Sequence, residues 1–186
     1  MVVRGFVIGP LGTNCYVVHD KRSLKGVLID PGVYDQAISD YIRDRSINII
    51  YTLNTHGHAD HIFGNAAFGY PVLMHSLDKS DVDPARLLED GDIVEVGDIK
   101  LEIIHTPGHT PGSVSIKLDY LLFSGDALFF EGVGRTDIPG GDHDTLMRSI
   151  KEKLMVLPGS VVVFPGHGPQ TTIEHERRSN PLLHLA

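Results

Sequence analysis

The chain has 186 residues, of which 41% are hydrophobic and 22% charged, a composition typical of one globular domain with a sizeable core. Its formal net charge of −8 argues against a nucleic-acid backbone as the main partner. No apolar run approaches the roughly 18 residues of a membrane helix, and the start lacks a secretory signal. We therefore expect one cytoplasmic domain spanning 1–186, without nucleic-acid or membrane partners.

The first third of the chain predicts an antiparallel sheet covered by a helix. Short apolar runs at Val2–Ile8, Tyr16–Val18 and Val27–Asp30 are separated by glycine-rich and basic turns, which is typical of strands. Apolar residues then recur at helical spacing over Tyr34–Arg45, which indicates an amphipathic helix. The apolar run Ile47–Leu53 predicts a buried strand.

Shorter elements are predicted for the middle of the chain. Ile62–Phe68 is predicted to be a short helix and Val72–His75 a strand. Two interpretations remain open for Val82–Glu89: a lid over the site, or a short helix with Pro84 near its start. Two hairpins are predicted further on, one from Ile93–Val96 with Ile99–Ile104 and one from Val114–Leu118 with Tyr120–Phe123.

The last part of the chain predicts one long helix, a strand and a short helix. Asp142 or Asp144 is placed to cap a helix that runs to Val156. A strand follows at Val161–Phe164, and Thr171 and Glu174 have the spacing of a capping box. Strands followed by helices in both halves predict two mixed sheets with helices outside, and the chemistry on loops at strand ends.

The segment THGHADH follows the predicted strand that ends at Leu53. If the chain stays extended, His56, His58 and Asp60 share one side, and His61 follows as the chain turns. This spacing indicates a metal site. With 11 histidines in the chain, a solvated histidine-rich loop is the alternative interpretation.

Three further segments each place a potential ligand in a small turn after an apolar strand. They are IIHTPGHTPGS with His109, LLFSGDALF with Asp126 and VVVFPGHGP with His167. Alone, each residue is more often a turn or capping residue than a ligand. Because Cys15 is the single cysteine, any metal must be held by nitrogen and oxygen, which favours zinc, iron or manganese.

The ordered set of the THGHADH cluster and these three segments resembles the signature of the metallo-β-lactamase superfamily. The resemblance implies an α/β fold, namely a four-layer αββα sandwich of two mixed β-sheets, with two divalent metal ions at one edge. It further implies that Asp126 bridges the two metals. The first would be held by His56, His58 and His109, and the second by Asp60, His61 and His167.

Within that superfamily, the segments GTNCYVV, TPGHTPGS, FSGDALF, GVGRTDIPGGD and PGHGP resemble the short bacterial type of glyoxalase II, the hydroxyacylglutathione hydrolases. The resemblance implies hydrolysis of S-acyl thiols such as S-D-lactoylglutathione. Asp60 would bind metal and orient a bridging hydroxide that attacks the carbonyl. The metals would be zinc, with iron or manganese as alternatives.

Two substrate-binding residues are expected from the same resemblance. Arg135, in GVGRTD, stands where the family has a basic residue facing the thiol portion, although a loop-bracing arginine is the alternative. His143 is either a pocket residue or an exposed residue at a helix start. Larger glyoxalase II proteins carry a C-terminal helical extension that grips glutathione. We expect no such extension here. Those proteins also tend to have a tyrosine just after the final histidine's motif, where this chain has Gly168 and Pro169, and both departures argue against glutathione binding.

Several other activities within the superfamily are considered. A persulfide dioxygenase with a single iron is the main alternative, because that group also shows a GRTD segment. The PGHGP segment favours the hydrolase instead. Asp126 in place of a cysteine argues against the zinc β-lactamases, and the acidic balance argues against RNA processing. A metal-binding scaffold without activity is a further alternative, and the chain is expected to be a monomer or homodimer.

Overall fold

The computed structural model describes residues 1–79 and 82–184. The elements of the first half are β1 (Val2–Ile8), β2 (Thr13–His19), β3 (Lys25–Ile29), α1 (Gln36–Asp44), β4 (Asn48–Leu53), α2 (Ala59–Ile62), α3 (Asn65–Phe68), β5 (Val72–His75) and β6 (Arg86–Leu88). Those of the second half are β7 (Ile93–Val96), β8 (Ile99–His105), β9 (Val114–Leu118), β10 (Leu121–Gly125), β11 (Leu128–Phe129), β12 (Gly132–Val133), α4 (His143–Ser149), β13 (Val162–Pro165), β14 (Thr171–Thr172), α5 (Ile173–Ser179) and α6 (Pro181–His184).

Two six-stranded sheets are formed, one by each half of the chain. The first has the order β1-β2-β3-β4-β5-β6, and the second has the order β14-β13-β10-β9-β8-β7. In the first sheet β1 to β3 are antiparallel, whereas β3 to β6 run parallel to one another. In the second sheet β13 lies parallel to β10, and the hairpins β7–β8 and β9–β10 are antiparallel. Both sheets are therefore mixed, as predicted.

The alternation of side chains along β2 shows how the layers are stacked. Tyr16 and Val18 point into the core between the two sheets. Cys15 and Val17 instead pack in a core that contains side chains of α1, such as Ile38. On the other sheet, Leu122 belongs to a third core that contains residues of α4 and α5. Because successive side chains of a strand face opposite ways, each sheet is covered on both faces. The fold is a helix–sheet–sheet–helix sandwich.

Both predicted helices of the first half differ in their bounds from the observed ones. The first starts at Gln36 because the carboxylate of Asp35 accepts a hydrogen bond from the Ala37 NH and caps it. The predicted helix Ile62–Phe68 is instead two short helices, α2 and α3. The interpretation of Val82–Glu89 as a lid or helix was wrong: β6 is a strand parallel to β5, and its Leu88 is buried in the core.

The helices of the second half are also short. Asp142 caps α4 by accepting from the Thr145 NH, as predicted, but the segment continues as one π-helical turn that ends before Met155. The predicted capping box was wrong, because Thr172 caps α5 while Thr171 lies in β14. Within residues 1–79 and 82–184, no helix is long and apolar enough to cross a membrane.

Candidate metal centre

The histidine motif occupies the loop and helix that follow β4. The strand ends at Leu53, so Asp60 and His61 lie in α2 rather than on an extension of the strand. The prediction that an extended chain aligns His56, His58 and Asp60 was therefore wrong, because the chain leaves the strand before these residues. The turn nevertheless brings their donor atoms together. His56 and His61 are buried.

Four chain segments meet at one edge of the sandwich. The motif follows β4, His109 lies in the turn between β8 and β9, Asp126 follows β10 and His167 follows β13. The donor atoms form three groups, and the atoms within each group lie within 4.8 Å of one another. Together the groups include all seven predicted ligands: His56, His58 and His109; His56, His61 and Asp126; Asp60, His61 and His167.

The first group consists of three ring nitrogens. His58 Nδ1 lies 3.0 Å from His56 Nε2 and 2.9 Å from His109 Nε2. Zinc–nitrogen bonds of about 2.1 Å in tetrahedral geometry place neighbouring ligand atoms roughly 3.4 Å apart. The observed spacing is close to that of ligands around one cation.

The group of Asp60, His61 and His167, which we call the second donor group, combines a carboxylate with two rings. Asp60 Oδ2 lies 3.3 Å from His167 Nε2 and 3.5 Å from His61 Nε2, and the two ring nitrogens are 3.3 Å apart. The hydroxyl of Thr13 donates to the same Asp60 oxygen at 2.9 Å. This oxygen is therefore held in a fixed position beside both rings.

The carboxylate of Asp126 lies between the two groups. Its Oδ2 is 3.5 Å from His109 Nε2, and its Oδ1 is 3.5 Å from His61 Nε2. Oδ1 is buried and has no hydrogen-bond partner among the described residues, an arrangement that is costly unless a cation satisfies it. A Cβ on Gly166 would lie 2.1 Å from this oxygen, so only glycine leaves it room. The donor set fits two divalent cations with Asp126 between them.

Hydrogen bonds on the far side of two rings fix their tautomers. His109 Nδ1 donates to the backbone carbonyl of Arg135 at 2.8 Å, and His167 Nδ1 donates to that of Leu11 at 3.2 Å. An imidazole that donates from Nδ1 keeps the Nε2 lone pair free. Both rings therefore direct Nε2, the nitrogen left available to bind a cation, into the site.

A buried carboxylate, Asp30, supports the remaining part of the site. Its Oδ2 lies 3.0 Å from His61 Nδ1 and accepts the Thr55 hydroxyl at 2.6 Å. The same hydroxyl is 3.1 Å from His56 Nδ1, so Asp30 orients one ligand directly and another through Thr55. Sequence reasoning assigned Asp30 only to the end of a strand.

The pKa shifts reflect this crowded environment. Burial, strengthened by the neighbouring rings, lowers the pKa of His56 far below its usual range. Burial also acts to lower the pKa of His61, but Asp30 and the nearby Asp126 and Asp60 outweigh it and raise that pKa to about 9. For Asp60, burial acts to raise the pKa, yet hydrogen bonding to His167 and the other partners brings it well below the ordinary value. The Asp60 carboxylate is thus ionised at neutral pH and ready to bind a cation.

A second buried carboxylate, Asp78, joins the loops that carry the first group. Its oxygens accept from the Gly57 NH at 3.0 Å, the Gly112 NH at 2.7 Å and the Thr110 hydroxyl at 2.5 Å. A Cβ on Gly112 would lie 2.6 Å from the Asp78 carboxyl carbon, which explains the glycine. No spacing in the sequence links these positions. The single available signal for Asp78 was its place three residues past the carboxyl end of β5.

The donor atoms open into a cavity of about 680 Å³. Its walls are formed by the apolar side chains Leu11, Phe129, Val133, Ile138 and Pro139, together with Arg135 and the ligands His58, Asp60, His109, Asp126 and His167. The Arg135 side chain is 66% exposed and binds Asp137 through both Nε and Nη2. The guanidinium holds the pKa of Asp137 below its usual range.

The two predicted substrate residues differ in position. Arg135 lies at the cavity wall, and its role in substrate binding stays a prediction. His143 is exposed at the first residue of α4, and it is not among the residues that line the cavity. Its placement agrees with the alternative of an exposed residue at a helix start.

Comparison with known proteins gives the same fold and several activities. The chain is 37% identical over 187 residues to mitochondrial persulfide dioxygenase ETHE1 of Homo sapiens, covering 94% of this chain and 72% of that protein. The crystal structure of BLEG-1 B3 metallo-beta-lactamase matches with a TM-score of 0.88 and 34% identity, covering 98% of this chain and 99% of that one. TTHA1623 in a di-iron-bound form matches with a TM-score of 0.85 and 34% identity, covering 97% and 100%.

The family itself is established by the pattern along the whole chain. The model of the metallo-beta-lactamase superfamily matches residues 8–70 and 69–167, which include the seven donor residues. The sandwich and the donor groups at its edge agree with that match. The chain belongs to the metallo-β-lactamase superfamily.

Proposed function

We propose that the protein is a binuclear metallohydrolase that cleaves S-acyl thiols, with S-D-lactoylglutathione as the model substrate. The single observation that carries the proposal is the composition of the cavity wall around the donor atoms. Besides the ligands, its one ionisable side chain among the described residues is Arg135. A guanidinium stays protonated at neutral pH and does not serve as a proton donor.

That wall suits a substrate whose leaving group departs without a general acid. A thiol has a pKa of about 8.5 and leaves as a thiolate, whereas an amine or alkoxide leaving group requires a proton. This consideration supports a thioester over an amide or a β-lactam. Two divalent cations bound by the seven donors would supply a hydroxide at neutral pH and polarise the carbonyl.

The protein's own residues supply positioning and the exclusion of water. Thr13 fixes Asp60 Oδ2, so Asp60 is held where it orients a nucleophile next to the donor groups. The apolar wall, which includes Phe129 and Val133, removes water from the carbonyl and strengthens the local electrostatics. Arg135 is placed to pair with a carboxylate on the thiol portion, in exchange for Asp137.

Loss of the proposed nucleophile-orienting group tests this assignment. Asp60→Ala should lose thioesterase activity by a factor of at least about 10³ while its circular dichroism spectrum stays unchanged. The exposed Asp119→Ala, far from the donors in the β9–β10 turn, should retain full activity. Full activity in Asp60→Ala would refute the site.

A persulfide dioxygenase is the second candidate, favoured by the 37% identity to the human enzyme. Such an activity with a single iron leaves a complete second donor group, Asp60, His61 and His167, without a role. The presence of this group supports the two-metal hydrolase. We further propose zinc as the metal, with iron or manganese as alternatives, and a small-molecule substrate in a monomer or homodimer.

A further inference from the structure

A second cavity of about 270 Å³ adjoins the metal cavity. Two residues, Leu11 and Asp60, line both cavities, so the second cavity lies directly beside the metal cavity. We call the second cavity the annex. Its other lining residues are Ile8, Gly9, Pro10, Thr13, Gly32, Val33, Ala59 and Phe63.

The annex wall is almost entirely apolar. Apart from Asp60, its one polar side chain is Thr13, whose hydroxyl is already used to donate to Asp60 Oδ2. The rim carries two large hydrophobic side chains, Leu11 at 68% exposure and Phe63 at 72%. An apolar pocket with an exposed apolar rim is completed by a hydrocarbon ligand, which removes that surface from water.

The annex and Arg135 lie on different sides of the metal centre. The backbone carbonyl of Arg135 accepts from His109, which belongs to the first donor group. Leu11 accepts from His167, which belongs to the second group, and the annex reaches Asp60 of that same group. A substrate carbonyl held at the metal centre therefore has one substituent toward the Arg135 guanidinium and the other toward the hydrocarbon surface of the annex.

From this arrangement, and resting on the proposed function, we infer that the annex binds the acyl chain and that the physiological substrate is a thioester with an apolar acyl group. The thiol portion, which carries the carboxylate, lies toward Arg135. The walls that the annex shares with the metal cavity, Leu11 and Asp60, favour this occupant over a second copy of the chain, because a group bound in the annex lies beside a donor of the metal centre.

The inference is tested with zinc-loaded protein and straight-chain acyl thioesters of N-acetylcysteamine, from acetyl to decanoyl. The ratio kcat/KM should rise about threefold for each added methylene and level off once the annex is filled. Phe63→Ala should reduce the octanoyl-to-acetyl preference by at least about fivefold. Tyr120→Ala is the matched control, because Tyr120 is an exposed aromatic residue in the β9–β10 turn, outside both cavities.

A flat chain-length profile in an active enzyme would overturn the inference while leaving the proposed function intact. A change of oligomeric state in Phe63→Ala by sedimentation equilibrium, with an unaltered profile, would overturn it in favour of a dimer interface.

A binding measurement separates the two failures. Calorimetry should show octanoate binding the zinc-loaded protein at least about tenfold more tightly than acetate, with the difference reduced in Phe63→Ala. That result without any thioester hydrolysis would support the annex and refute the proposed function. Equal binding of octanoate and acetate would overturn the annex.

Discussion

The Asp30 carboxylate and the His61 ring form a buried pair in which Oδ2 and Nδ1 lie 3.0 Å apart. Both side chains are almost fully buried, and the opposite nitrogen of His61 faces the second donor group. Such a carboxylate increases the basicity of the ring nitrogen that binds metal and fixes its direction. A residue about thirty positions away in sequence thus controls a ligand.

The substitution Asp30→Asn tests directly whether Asp30 determines how well His61 binds metal. Removal of the negative charge makes His61 a poorer ligand. The affinity for the metal at the second donor group, which contains His61, should therefore fall by about 10- to 100-fold. Zinc stoichiometry and competition with a chromophoric chelator measure the effect. Asp119→Asn, an exposed turn residue, is the control and should bind two metals as the unaltered protein does. Unchanged affinity in Asp30→Asn would contradict the role assigned to Asp30.

Asp78→Asn should weaken both the fold and the first donor group. Its new amide NH₂ faces NH or hydroxyl donors that now bind a carboxylate oxygen, so the free energy of unfolding should fall by about 1–3 kcal/mol. Urea unfolding of metal-free and zinc-loaded protein checks this. If Asp78 positions the His58 and His109 loops, the zinc-loaded form should lose more stability than the metal-free form. Equal losses would mean that Asp78 serves the fold alone.

Gly166→Ala should remove metal without unfolding the protein. The added Cβ would lie 2.1 Å from Asp126 Oδ1 and 2.8 Å from the His61 ring, so the bridging carboxylate must move. Metal analysis should find fewer than two metals per chain, with far-ultraviolet circular dichroism retained. Gly168→Ala is the control: its site has open space and a positive φ of 77°, so it should cost stability but keep both metals. Two metals in Gly166→Ala would refute the proposed placement of Asp126.

Arg135→Ala separates the two roles of that residue. Its backbone carbonyl holds His109, whereas its side chain reaches the cavity. Loss of the side chain should therefore raise KM for a carboxylate-bearing thioester by about tenfold and change kcat by less than about twofold. Arg22→Ala, an exposed arginine paired with Asp98, should change neither constant. A large fall in kcat would assign the side chain a role in the reaction itself.

The clustering of the seven donor residues could be predicted because each lies within or just after a strand-ending turn rich in glycine and histidine. His56, His58 and Asp60 were close in sequence, and the ordered positions of His109, Asp126 and His167 completed the set. Two mixed sheets with helices outside followed from the order of strands and helices in both halves, and the αββα metallo-β-lactamase fold implied by the resemblance is confirmed.

What could not be predicted depends on contacts between distant segments. In the sequence, Asp30 marks only the end of a predicted strand and Asp78 belongs to no motif, and only the fold shows that both contact the residues and loops of the donor groups. The Thr171 capping box failed because Thr171 pairs with Val163 in the sheet, so the helix starts one residue later. Short strands such as β6 form because a neighbouring strand is available, and no local pattern marks them.

The central claim is most directly tested by assaying a zinc-loaded and an iron-loaded preparation, each for thiol release from S-D-lactoylglutathione and for oxygen uptake on glutathione persulfide. The account predicts thiol release with two metals per chain, a rate that depends on Asp60, and no oxygen uptake. Oxygen uptake with one iron per chain, and no thiol release in either metal form, would contradict it and identify the protein as a dioxygenase.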